Sequence, residues 1–328
     1  MTNRMAEFGE HRHALVRNAD TPFRVELPIM GIATRFFTNS AQVLNAVEAS
    51  FGRWRGTAVC DHEPLRITVI EYGGSEGAGD RAVVQHTSLD SHRLLVQSLG
   101  SSAIVEPEHR ESLAYVSAAL VVDAEHFRIA FLEAITFALI AAFDRHPVHA
   151  AALLHADRAL LLAAPAGTGK STIAYLAHTN GITVLSDDLV WVQQKPALRI
   201  WGGRVSVRLL DDARRHFPDS LRAKLATEAM PSSKTTMEVS QPDAAPRDVS
   251  GGAVVCVLAR GPQAALRRIE PTPLVSELTR QLAPGFDRFP ERQGAVFEAL
   301  AADGGWHLTL SDNPWDALPH LRRMLDWR

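Results

Sequence analysis

A chain of 328 residues exceeds the roughly 100–200 residues typical of one domain and suggests two. Hydrophobic residues make up 46% and charged residues 22%. That is close to the globular average, which excludes general disorder and leaves enough apolar side chain for a sizeable core. A formal charge of -3 provides no global attraction to phosphate backbones or anionic lipid, so neither nucleic acid nor a membrane is an expected partner.

The two cysteines, Cys60 and Cys256, stand far apart in no ligand-like spacing, which fits reduced thiols in a cytoplasmic protein and argues against structural zinc. Residues 1–15 carry charges throughout and have no small-residue cleavage pattern, so they do not read as a secretory signal and a cytoplasmic location is expected. The most apolar stretch, residues 131–143, contains Glu133 and falls short of the roughly 20 apolar residues a bilayer span needs. It reads as a buried helix.

In chain order, residues 23–30 and 31–38 look extended. Ser40 then caps an amphipathic helix over 41–51, with Val43, Leu44, Val47 and Phe51 on one side. Leu65, Ile67 and Val69 alternate with polar neighbours, and 81–87, 92–99 and 103–106 are short β-like runs between Gly, Ser and Asp clusters. Asp123 can cap a long helix through Phe127, Phe131, Ile135 and Leu139 to about residue 144, and Pro147 discourages its continuation. A boundary there divides the chain into a smaller α+β domain, 1–145, and a second domain, 146–328.

The second domain opens with a strand at 159–163, a helix at 171–178 and strands at 182–185 and 189–193, an α/β nucleotide-binding order. Between 228 and 252 the composition shifts to Pro, Ser, Thr and Gly, as in a lid or substrate loop. Strands at 253–258, 266–269 and 306–310 and helices at 273–282, 292–302 and 315–325 complete the chain, without internal repeats.

Residues Ala164-Pro165-Ala166-Gly167-Thr168-Gly169-Lys170-Ser171 join the buried strand to the helix through a glycine-bearing turn, the context a P-loop requires. Gly167 and Gly169 let backbone N–H groups approach a β-phosphate, and the positive end of the helix points at the same anion. Lys170 adds a charge for the β- and γ-phosphates, Ser171 a hydroxyl for Mg2+, and Thr172 supports the helix start. ATP with Mg2+ is therefore the expected cofactor pair. Ala164 departs from the glycine commoner at that position.

Seventeen positions beyond Lys170 comes Ser186-Asp187-Asp188. A neighbouring parallel strand would deliver this pair beside the loop, so that one carboxylate serves the metal and the other accepts a proton from an attacking hydroxyl. Asp-Asp also suits a β-turn, but here it interrupts two apolar strands. The short spacing separates the chain from ABC and AAA ATPases. His149 precedes the strand that feeds the loop and taken alone suits a structural role as well as a functional one.

With His149, Lys170, Ser171, Asp187 and Asp188 in these positions, residues 148–192 resemble the kinase domain of HPr kinase/phosphorylase and related serine kinases. The resemblance implies an α/β P-loop domain of the HPr kinase/PEP carboxykinase type. It also implies catalytic roles for Asp187, as base acting with His149, and for Lys170, with Asp188 and Ser171 at the metal and residues 164–172 around ATP. The family's Glu-containing, glycine-rich signature after the aspartates has no match: residues 199–204 hold Gly202 and Gly203 but no glutamate, which puts the phosphorylase activity in doubt. The N-terminal half differs from a sugar-operon regulator, so a serine in some other peptide or protein is the expected acceptor.

Arg204, Arg208 and Lys234 are weaker candidates for charge stabilisation. A small-molecule kinase of the shikimate or gluconate type is a competing expectation, although such chains usually begin near the loop and about 150 residues precede it here. A nucleotide-dependent switch without catalysis is a third. The acceptor stays open, as do a phosphoryl donor other than ATP and whether the chain forms a homo-oligomer.

Overall fold

The computed structural model describes residues 20–73, 83–90, 93–98, 100–203, 206–210, 215–217, 234–238, 247–281 and 289–326. The chain divides between Phe143 and Asp144 into two compact units, built from several sheets with helices, a mixed α/β architecture.

In the first unit, β1 (Phe23–Ile29) and β2 (Ile32–Thr38) form a hairpin whose turn, Met30-Gly31, takes positive φ at both residues. Helix α1 (Ala41–Phe51) follows because the Ser40 hydroxyl accepts the Val43 N–H at 3.3 Å, satisfying a donor that has no partner within the first turn. Its buried face carries Val43, Ala46, Val47 and Phe51, while Leu44 is half-buried. Phe51 stacks on Phe36 at 5.5 Å and meets Phe137 edge-on at 5.8 Å.

The next strands are β3 (Asp61–Tyr72), β4 (Gln85–Ser88), β5 (Leu94–Ser98), β6 (Ser101–Glu106) and β7 (Glu111–Ser117). They join one sheet in the order β1-β2-β3-β7-β6-β5-β4, with β3 parallel to both neighbours. The single long helix expected after Asp123 is interrupted. Asp123 does cap at its own position, accepting the His126 N–H at 3.2 Å, but a π-helical stretch, Phe127–Leu132, separates two helical pieces. In chain order the helices here are α2 (Ala118–Val122), α3 (Ala124–His126) and α4 (Glu133–Ala141). Among the described residues no helix is long and apolar enough to cross a membrane.

The second unit opens with β8 (His146–Val148), β9 (Ala150–His155), β10 (Arg158–Ala163), α5 (Lys170–Thr179), β11 (Thr183–Ser186), β12 (Val190–Gln193) and β13 (Arg199–Gly202). It continues with β14 (Ser206–Leu210), β15 (Lys234–Glu238), β16 (Asp248–Val249), β17 (Ala253–Arg260), β18 (Ala265–Ile269), α6 (Pro271–Arg280), α7 (Pro290–Ala301), β19 (Gly305–Leu310) and α8 (Leu318–Leu325). The central sheet runs β11-β9-β10-β17-β19-β18 and a smaller one β16-β13-β12-β8.

Both faces of the central sheet are covered, and the period of 2 along each strand sorts side chains between them. Leu160, Leu162, Cys256 and Leu308 pack with Ile173 and Leu176 of α5 and Leu321 and Met324 of α8. The alternate positions Ala159, Leu161, Ala163, Val255 and Val257 face Val190, Val192 and Ile200 of the smaller sheet, Leu274 of α6 and Phe297 of α7. This double burial explains why 159–163 reads as an unbroken apolar run. Each fully buried leucine contributes on the order of 1.5–3 kcal/mol. Cys256 lies inside this core, where burial raises its thiol pKa, and Cys60 is exposed; neither forms a disulfide.

The two sheets approach closely at one point. A Cβ on Gly202, the last residue of β13, would lie 2.4 Å from the Leu185 carbonyl oxygen and 2.6 Å from its side chain in β11. Gly202→Ala is therefore expected to destabilise the protein by roughly 2 kcal/mol through overpacking, seen as a melting temperature lower by about 4–8 °C. An unchanged melting curve would mean that the two sheets separate at no cost.

Candidate functional site

Three strands bring their ends to one edge of the central sheet. β9 runs antiparallel to β10 with Ala150 opposite Ala163, so the residue before β9, His149, stands beside the carboxyl end of β10. β11 is antiparallel to β9 with Ser186 opposite Ala152, so the residues after β11, Asp187 and Asp188, arrive at the same edge. The strand bearing the aspartates is thus not the immediate parallel neighbour of β10 that the sequence suggests. β9 lies between them, and His149 immediately precedes this intervening strand rather than the one feeding the loop. Two antiparallel steps restore the same direction, which is why the aspartates still reach the loop.

The turn over residues 164–169 links β10 to α5. Ala164 is buried, Pro165, Ala166 and Gly167 are exposed, and Thr168 is half-buried. Gly167 (φ 82°) and Gly169 (φ 116°) adopt backbone conformations that side chains disfavour. Thr168 N–H donates to the Pro165 carbonyl at 3.3 Å, closing the turn, and Gly169 caps the helix. The first-turn N–H groups of α5, including those of Ser171 and Thr172, have no partner four residues back and carry the positive end of the helix dipole. Such an end suits an anion.

Lys170 opens α5 and is buried, only 6% exposed. Its ammonium lies 2.6 Å from His149 Nε2 and 3.2 Å from Asp188 Oδ1, and His149 Nε2 is 3.0 Å from the same Asp188 oxygen. One ring nitrogen cannot both accept from Lys170 and donate to Asp188. With the ring proton on Nδ1, Nε2 accepts from the ammonium and Lys170 alone holds the carboxylate. With the proton on Nε2, the histidine donates to Asp188 and gives up the lysine. The three groups form a compact proton-sensitive cluster, and the histidine contact seen here is to Asp188.

Asp187 is buried and Asp188 exposed, so neighbours in sequence occupy different dielectric surroundings. The turn bearing them is held by the Ser186 hydroxyl, which donates to the Leu189 carbonyl at 2.6 Å. Partial desolvation would raise the Asp188 pKa, but the His149 hydrogen bond and the Lys170 charge outweigh it and lower the value to about 2. Burial pulls the Lys170 ammonium below its ordinary value, against the opposing attraction of Asp188 and Asp187.

An Asp188 carboxyl that titrates near 2 when folded and near 3.9 when unfolded contributes stability that is fully present above pH ~4 and lost as pH falls through ~2. In magnesium-free buffer the melting-temperature gap between wild type and Asp188→Asn should therefore narrow as pH drops from ~4 to ~2. A gap constant over that window would remove the ionic account of this contact.

An ionised carboxylate at Asp188 and a hydroxyl at Ser171, half-exposed in the first turn of α5, are oxygen donors of the kind magnesium takes. Of the weaker candidates, Arg204 lies outside the described residues. Arg208 sits on β14 opposite Thr236, and Lys234 on β15 opposite Leu210. The expected lid over 228–252 lies partly outside the described residues, and its described parts include β15, paired with β14, and β16, paired with β13.

One residue at this edge has no prominence in the sequence. A Cβ on Gly169 would lie 2.9 Å from Nη2 of Arg260, the last residue of β17. The signal available was topological: an arginine ending an apolar strand just before Gly261-Pro262.

No family model matches the chain, and no curated protein matches it in sequence. Among solved structures it is similar to the HPr(Ser) kinase/phosphatase from Coxiella burnetii, at 11% identity and a TM-score of 0.29, over 54% of this chain and 94% of that one. A likeness at that level carries no inference about activity.

Proposed function

We propose that the second unit is a magnesium-dependent kinase that transfers the γ-phosphoryl group of ATP to the hydroxyl of a serine in a peptide or protein. The observation that carries this is the convergence of Lys170, His149 and Asp188 within 3.2 Å, at the start of a helix that follows a turn with two positive-φ glycines. The turn's N–H groups and Lys170 would hold the phosphates. Ser171 and Asp188 would hold the metal, which would supply positive charge to offset that of the phosphates.

Phosphate arriving at Lys170 competes with Asp188 and His149 for the ammonium, which frees Asp188 for the metal and His149 for proton exchange. Asp187, buried beside this cluster, accepts the proton of the acceptor hydroxyl as its oxygen bonds to phosphorus and the bond to the β-phosphate oxygen breaks. The experiment is incorporation of label from γ-labelled ATP into extract of the source cell, with wild-type protein against Asp187→Asn. Label in peptides or proteins that depends on Asp187 supports the proposal. Label confined to small metabolites moves the acceptor to a small molecule, and none at all removes the kinase assignment.

A further inference from the structure

We infer that Arg260 is a further phosphate-contacting residue, supplying a second fixed positive charge to the β- and γ-phosphates of the nucleotide; this rests on the kinase proposal above. The sequence resemblance assigns this residue no role.

The first support is strand length. β17 pairs in parallel with β10 only from Ala253 opposite Ala159 to Val257 opposite Ala163. Beyond that point β10 turns into the loop, whereas β17 continues through Leu258 and Ala259 to Arg260. Three further residues advance β17 by about 10 Å, alongside the loop that replaces β10.

The second is anchorage. Past the end of β10, β17 stays paired on its other side with β19, up to Arg260 opposite Leu310, and Gly261 N–H donates to the Leu310 carbonyl at 3.0 Å. Arg260 therefore projects from a fixed strand end rather than from a free loop. Its Nη1 donates to the Ser311 carbonyl at 3.2 Å, and the Ser311 hydroxyl donates to Asp316 Oδ2 at 2.7 Å. These bonds aim the guanidinium before any ligand arrives.

The third is charge. Among the described residues no carboxylate forms an ion pair with Arg260, whose hydrogen bond goes to a neutral carbonyl, and the residue is exposed. The guanidinium rests against Gly169, the residue before Lys170, where a Cβ would meet its Nη2 at 2.9 Å, so a charge that solvent alone screens stands beside the turn. The missing side chain at Gly169 thus serves two ends, the positive φ and the close approach of a guanidinium. A planar fork suits two phosphate oxygens at once, and a positive charge fixed in the same chain stabilises the transferring phosphoryl group.

The test uses the full chain as wild type, Arg260→Gln, Arg260→Lys and Lys170→Ala, titrated with Mg-ATP by calorimetry at two or more salt concentrations, with melting curves taken without nucleotide. Arg260→Gln should weaken Mg-ATP binding by about tenfold, leave the nucleotide-free melting temperature unchanged and flatten the salt dependence of binding. Arg260→Lys should recover part of the affinity and all of the salt dependence. If Arg260→Gln binds Mg-ATP as wild type does while Lys170→Ala does not, the inference fails and the kinase proposal stands. If wild type itself does not bind Mg-ATP, both fall. Weakened binding with an unchanged salt dependence would mean that Arg260 only props the loop, and also overturns the inference.

Discussion

Asp187→Asn is expected to lower phosphoryl transfer by about 10²–10⁴-fold, the range spanned by a positioned general base, with Mg-ATP affinity within a few-fold of wild type. Asparagine keeps the size of the side chain and its hydrogen-bonding capacity but cannot take a proton. Asp187 is 6% exposed, so a bulk water cannot readily substitute for it. The measurement is single-turnover transfer from labelled ATP set beside a calorimetric binding isotherm. Loss of binding equal to the loss of rate would make Asp187 a nucleotide or metal residue instead of a base.

Lys170→Ala is expected to weaken Mg-ATP binding and to reduce turnover by about 10²–10³-fold, because a fixed charge that follows the transferring group has been removed. The effect on the cluster is distinct. Lys170 is one of the groups that depress the Asp188 pKa, so its loss lets that carboxyl rise toward its ordinary value. A titration of Asp188 by NMR in the variant would follow this directly. Turnover within twofold of wild type would remove the phosphate role from this turn.

The residues that meet at the candidate site were legible because their signals are local. A turn with two glycines, a lysine and a serine between an apolar strand and a helix can be read from a dozen consecutive residues, and so can two aspartates between apolar strands. The strand order was not legible. That β9 separates β10 from β11 depends on pairing between segments whose apolar runs are alike, and a run buried on both faces carries no preference for one neighbour over another. For the same reason β7 left no mark in the sequence. Six of its seven residues are buried, Tyr115 alone being half-buried, so the alternation that betrays a one-sided strand is missing.

The break in the long helix was invisible for a different reason. Phe127, Phe131, Ile135 and Leu139 keep a spacing of four, which suits an α-helix, and the π-helical stretch at Phe127–Leu132 contains neither proline nor glycine. The sequence marks Arg260 only as an arginine ending an apolar strand; its setting arises from one strand outlasting its neighbour, which no linear pattern records.

The outermost strands of the central sheet bear on solubility. Among the described residues β18 pairs only with β19, so its outer backbone N–H and C=O groups form a template that another extended chain could join. It carries Arg267 and Arg268 at its centre, and Arg268 lies over Trp306 at 4.8 Å while its Nη2 donates to the Asp303 carbonyl at 2.9 Å. Charge along one border, and a strand of only four residues, β11, at the other, leave an apolar sheet with borders on which a foreign strand finds little to extend.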